Sequence, residues 1–122
     1  IQDNCVFHVE EDTPCVLEND VTVGHMAMVH AAHVESGSLV DMSSSLLSRC
    51  TIVAGSLIAA GAVVLEGTEI PPRSLAVGVP AKVRRELSPE ESEAFIPHAA
   101  RYVECAQRQS NEALSLDEVL FD

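Results

Sequence analysis

Tryptophan is absent from the 122-residue chain, and tyrosine and phenylalanine together make up only 3% of it. A core without large rings must be built in narrow layers of small aliphatic groups, and Val, Leu, Ile and Ala carry most of the 47% hydrophobic content. Cations are scarce too: 7 lysines and arginines, with Lys82 the only lysine, stand against 19 acids for a formal charge of −12. This balance excludes a nucleic-acid backbone or an anionic membrane surface as the main partner, since both require clustered cations. It predicts a host adapted to salt, because dense surface carboxylates repel one another unless ions screen them. No run of about 18 apolar residues is present to span a bilayer, and no stretch reads as a signal peptide. Cys5, Cys15, Cys50 and Cys105 form no C-x-x-C pair. They are too few for a disulfide scaffold and suit reduced thiols packed as small hydrophobes in a cytoplasmic protein. The length suits one packed domain.

A period of six decides the fold. Val34, Val40, Leu46, Ile52, Ile58, Val64 and Ile70 form an unbroken aliphatic series, and four positions after each stands a small residue: Ser38, Ser44, Cys50, Ser56, Ala62, Thr68 and Ser74. Upstream the series continues through Leu17, Val23 and Val29, with one residue deleted before Val34. Ile1 and Phe7 form an earlier pair, followed by an insertion over Glu10 to Pro14. An amphipathic helix would repeat at three and four, and a sandwich strand at two. Hexads instead suit short strands meeting at sharp corners, with the aliphatic residue filling a narrow prism and the small one at the turn. Three hexads make one triangular coil, and stacked coils bond as parallel sheets about 4.8 Å apart. The expected class is therefore all-β, a parallel β-helix over residues 1–87 with a C-terminal α-helix.

The coils are expected to end near Ile70-Pro71-Pro72, with Leu75 to Leu87 an extended strap in which Pro80 stops further pairing. Ser88-Pro89-Glu90-Glu91 reads as a helix start, with Ser at the N-cap, Pro at N1 and Glu at N3 closing a capping box. That helix is predicted over 88–108, kinked near Pro97. Its buried stripe would be Phe95, Ala99, Tyr102 and Val103. Residues 109–122, with Leu116, Val119, Leu120 and Phe121 among acids, form an acidic tail.

Placing the histidines on this prism gives a candidate site. Phe7 and Val29 fall on one wall in successive coils, provided the insertion is a loop. His8 and His30 each follow an inward residue and so point outward, one above the other. Imidazoles about 4.8 Å apart can tilt onto one ion, with Zn–N distances of about 2.0–2.1 Å. His25 lies on the preceding wall and points away, so one subunit supplies two ligands and hardly a third. A threefold trimer with a metal at each interface is the economical solution. The plainer alternative, surface histidines on a polar rim, suits a lone His better than a stacked pair. His33 and His98 are expected to face solvent.

These residues resemble a known family. Ile1-Gln2-Asp3-Asn4 through His8, and Val21-Thr22-Val23-Gly24-His25 through His30, resemble the metal-binding pattern of γ-class carbonic anhydrases. Val40-Asp41-Met42, Leu57-Ile58-Ala59-Ala60-Gly61, Gly67-Thr68-Glu69-Ile70-Pro71-Pro72 and Gly78-Val79-Pro80-Ala81-Lys82 extend the match, which reaches about Val103. The resemblance implies a left-handed coil and a homotrimer. It also implies metal held by His8 and His30 of one subunit and His25 of the next, with Gln2 and Asp3 beside it. Family members carry further coils upstream.

The implied reaction is reversible hydration of CO2 to bicarbonate by hydroxide generated on a divalent ion, which lowers the pKa of its water to about 7. Gln2 would hold the water or bicarbonate, and Asp3, under His25, would orient the hydroxide or brace the neighbour. Glu10, Glu11 and Asp12 are candidates to relay the proton, with Glu11 the choice among them. Zn2+ is the expected metal, and histidine ligands alone do not separate it from Fe2+ or Co2+. Two other classes remain: a hexapeptide acyltransferase or thioesterase acting on a CoA substrate, and a non-catalytic scaffold of the same family.

Overall fold

Each hexad contributes a strand of two to four residues and a corner, and the pleat turns its aliphatic residue inward. In a computed structural model, which describes residues 1–113, this gives a left-handed parallel β-helix of about four coils. The first coil holds β1 (Val6–His8), β2 (Val16–Leu17) and β3 (Thr22–Val23), and the second β4 (Met28–His30), β5 (His33–Val34) and β6 (Leu39–Val40). The third holds β7 (Ser45–Leu46), β8 (Thr51–Ile52) and β9 (Leu57–Ile58). The fourth holds β10 (Val63–Val64), β11 (Glu69–Ile70) and β12 (Ser74–Val77). Every third strand stacks, so the walls are β1-β4-β7-β10, β2-β5-β8-β11 and β3-β6-β9-β12.

The predicted inward series from Val23 to Ile70 is the core, and its members are 0–2% exposed. Ile1 and Phe7 continue the series only in register. Ile1 is 71% exposed and Phe7 36%, because no further coil of the described residues covers them.

The corners obey a second rule of six. Gly37, Ser43, Arg49, Gly55, Gly61, Gly67 and Arg73 all adopt left-handed backbone, with φ between 49° and 71°. The small position next to each corner is often serine for a reason beyond size. Ser38 Oγ accepts from Ser56 N at 3.2 Å, and Ser56 Oγ accepts from Ser74 N at 3.1 Å, so hydroxyls rivet successive coils. Burial pushes the Cys50 thiol up to about 12, as suits an inert core residue.

The segment expected as a strap is a hairpin. β12 completes the third wall against β9, and β13 (Lys82–Glu86) returns antiparallel along it. Pro80, lacking a donor, sits in the turn between them and interrupts no ladder. The capping box forms as expected on α1 (Pro89–Glu93), and Ser92 Oγ donates to Gly55 O at 2.8 Å, docking this helix on a corner.

The single kinked helix is corrected to two. The break falls at Ala94, and α2 (Phe95–Glu112) begins just before Pro97, whose missing donor then falls harmlessly in a first turn. Helix α2 also outruns the predicted end at Arg108. Of its expected stripe, Ala99 is buried and Phe95 half-buried, but Tyr102 and Val103 are exposed. The inward place is taken by His98, whose Nδ1 lies 3.3 Å from Thr22 Oγ1. The rest of the acidic tail lies outside the described residues. Among these, no helix is long and apolar enough to cross a membrane.

One pH effect follows from the helix start. Hydrogen bonds from Arg85, both at 2.8 Å, and then from Ser88 N hold the Glu91 carboxyl at about 2, below its usual 4.5. A depressed carboxylate pKa contributes stability above the unfolded value, and that contribution is lost as pH falls through the folded one. Glu91→Gln should therefore lower the melting temperature at neutral pH, and the gap to the unaltered protein should close between about pH 5 and about pH 2.

Candidate metal centre

Strand register builds half of the site. β1 and β4 pair with Phe7 against Val29 and His8 against His30. The loop over Glu10 to Pro14 closes on itself through paired Glu10 and Thr13 backbone bonds of 3.1 and 3.2 Å, so the insertion does not disturb that register. The two rings stack with centroids 4.8 Å apart and planes 17° from parallel. This is the spacing of the strands beneath them.

A polar chain backs the lower ring. His30 Nδ1 lies 3.0 Å from Ser48 Oγ, Ser48 Oγ donates to Glu10 Oε1, and Arg49 Nη1 donates to Glu10 Oε2 at 3.2 Å. Arg49 also faces Glu66 at 3.6 Å. The Ser48 hydrogen bond holds the Glu10 carboxyl below the usual carboxylate range. Desolvation opposes this, and the Arg49 charge assists it. The acidic loop thus meets the histidines through Glu10. Glu11 and Asp12 stand exposed, and among the described residues no hydrogen bond joins either to His8 or His30.

His25 lies at the corner between β3 and β4, beside left-handed Met26, and not on the preceding wall itself. It follows Gly24, where a Cβ would lie 2.8 Å from Met42 N of the next coil, so only glycine permits this close approach. His25 opens onto a cavity of about 310 Å3 that Gln2, Asp41, His98 and Tyr102 also line. A smaller one of about 90 Å3 joins Asp3 and Gln2 to His25. Gln2 and Asp3 therefore stand with His25 and away from the stacked pair of the same chain. Among the described residues, no three His, Cys, Asp or Glu side chains converge where one ion could sit. His33 bonds Glu18 Oε1 at 2.8 Å on the surface.

Sequence reasoning missed Ser48, Arg49 and the packing of His98 near His25. Ser48 is separated from Glu10 by 38 positions, and no local motif links them.

No family model matches the chain. A curated relative from Methanocaldococcus jannaschii, named probable carbonic anhydrase, is 38% identical over 107 residues, covering 88% of this chain and 67% of the relative. Mitochondrial gamma carbonic anhydrase 2 of Arabidopsis thaliana is 34% identical over 118 residues, covering 92% of this chain and 42% of that protein. The chain belongs to the γ-class carbonic anhydrase family. It spans less than half of the Arabidopsis member and two thirds of the archaeal one. The family shares its coil with other hexapeptide proteins. A Bacillus cereus structure, described provisionally as an acetyltransferase, matches with a TM-score of 0.88 at 39% identity, over 93% of this chain and 66% of that one.

The family implies a metal, and the donor set here fits one. His30 meets Ser48 Oγ through Nδ1, so its Nε2 is the ring nitrogen turned away from that contact, and an imidazole nitrogen so placed is an ordinary metal donor.

Proposed function

We propose that this chain assembles as a homotrimer that interconverts CO2 and bicarbonate at metal centres shared between subunits. His8 and His30 of one subunit and His25 of the next would hold the ion, Zn2+ first and Fe2+ or Co2+ as substitutes. The observation that carries this reading is the stacked histidine pair on one wall, on a chain that offers His25 at the corner before it. A divalent ion bound there supplies a Lewis acid that brings the pKa of water to about 7.

The chain's own residues do the rest. Three neutral imidazoles add no charge, so the ion keeps its full electrophilicity. Gln2, placed beside His25, offers an amide to orient water or bicarbonate. Asp3 fixes that orientation or braces the interface. Glu11, exposed on the loop two residues beyond Val9, carries the released proton to bulk water. The four free thiols suit a reducing compartment such as the cytoplasm.

A second reading, acyl transfer or thioester hydrolysis on a CoA substrate, has the Bacillus cereus likeness in its favour. A scaffold that binds metal without turnover is the third. Metal analysis, stopped-flow CO2 hydration and a CoA-thioester assay on the same preparation separate them. The proposal expects one divalent ion per subunit, hydration that a chelator abolishes and metal restores, and no thioester turnover. Thioester turnover without metal would overturn it, and bound metal without hydration would leave the scaffold.

A further inference from the structure

The corner after His30 is one residue short. From Gly37 to Arg73 the left-handed residues recur every six positions, but Met26 to Ala31 is a step of five. In the next coil Leu47, Ser48, Arg49 precede Cys50, whereas here His30 is followed at once by left-handed Ala31 and then Ala32. The second coil therefore has no counterpart to Ser48. Two groups use that gap. The His30 ring turns its Nδ1 onto Ser48 Oγ at 3.0 Å, and Glu10 reaches from the first coil to Ser48 and Arg49 in the third.

We propose that Ser48 and Glu10 are positioning residues that hold His30 as the Nδ1–H tautomer, and that the deleted corner residue exists in this chain to let them meet. The proposal rests on the reading of His30 as a metal ligand. The logic is one of hydrogens. A hydroxyl has one proton, and the Glu10 carboxylate, which can only accept, takes it. Ser48 then has only lone pairs to offer, so the ring must carry its proton on Nδ1 and leave Nε2 bare. Remove Glu10, and Ser48 is free to donate to Nδ1, which favours the opposite tautomer with a protonated, non-ligating Nε2. Arg49 keeps the Glu10 carboxylate aimed, and Ser48 is only 2% exposed, so water does not readily replace it.

The test uses the full chain and two independent readouts. Ring 15N chemical shifts of metal-free protein, followed to the pH above which they no longer change, report the tautomer. Comparison with His30→Gln assigns the signal. Zinc affinity is then measured by chelator competition. His30 is expected as the Nδ1–H form in the unaltered chain and in Glu10→Gln, whose amide oxygen still accepts from Ser48. In Glu10→Ala it should shift toward Nε2–H, with zinc affinity weaker by about 10- to 100-fold. In Ser48→Ala the Glu10 carboxylate, 3.7 Å from Nδ1, is left to accept from that nitrogen directly, and Nδ1–H should persist. Glu10 and its variants lie on an exposed loop, so folding is preserved there even if Ser48→Ala is impaired. An unchanged tautomer in Glu10→Ala would overturn the proposal whatever the metal does. Zinc failing to bind the unaltered chain would overturn the metal reading instead, with the tautomer still reporting on Ser48 and Glu10.

Discussion

His30→Ala protein should fold as the unaltered chain does and should lose both its metal and its CO2 hydration. The strand around His30 pairs through its backbone, with Met28 and Val29 in register on both neighbouring strands, so removing an outward ring leaves the ladder intact. On the proposed site, what disappears is one of three ligands. Partners behind a ligand cost about 10- to 100-fold in metal affinity or activity when removed, so loss of the ligand itself should exceed about a hundredfold. His25→Ala should fail equally although His25 lies apart from the pair, at the corner between β3 and β4. Metal content and hydration rate, measured beside a melting curve, check the expectation. Activity retained in either variant would remove that histidine from the site.

The largest stability effect belongs to the middle of the prism. Ile52 is fully buried, stacked between Val34 above and Ile70 below. In so narrow a prism each layer holds only three such side chains, and the strands cannot close inward without breaking both neighbouring ladders. Ile52→Ala should cost about 2–5 kcal/mol, and Ile52→Val about 0.5–1.5 kcal/mol. Urea unfolding of both variants measures the series. A cost below 1 kcal/mol for alanine would mean that the core relaxes as the hexad stack does not allow.

Much of this was legible because one chemical rule repeats. Every inward position from Val23 to Ile70 is aliphatic, so the coil and the register of His8 over His30 could be read before any coordinates. The corner rule was only half visible. Gly37, Gly55, Gly61 and Gly67 announce left-handed backbone, but Ser43, Arg49 and Arg73 adopt it against their own preference, and only the fold reveals that. A proline cannot donate, and Pro80 in the sequence therefore predicts an end to the sheet. A turn residue needs no donor, and β13 returns beyond it. The solvent reading of His98 failed because the tilt of α2 depends on where the helix breaks, and Ala94 carries no breaking signal. The Glu10–Ser48–His30 chain was invisible for a different reason. The deletion before Val34 was plain, but its consequence requires three coils to be stacked.

The central claim, that one metal site is shared between two subunits, is tested most directly by mixing two inactive variants. His25→Ala keeps the His8/His30 pair, and His30→Ala keeps His25. Around any mixed trimer, one interface sets the intact pair of the first against the intact His25 of the second. Random co-assembly of equal amounts gives about three-quarters mixed trimers, each with one good site in three, so roughly a quarter of full metal content and activity should return. The variants must be co-expressed or refolded together, with mixed trimers verified by mass. Recovery near that fraction is the predicted result. Verified mixed trimers with neither metal nor activity would contradict it, and the three histidines would then not share an interface.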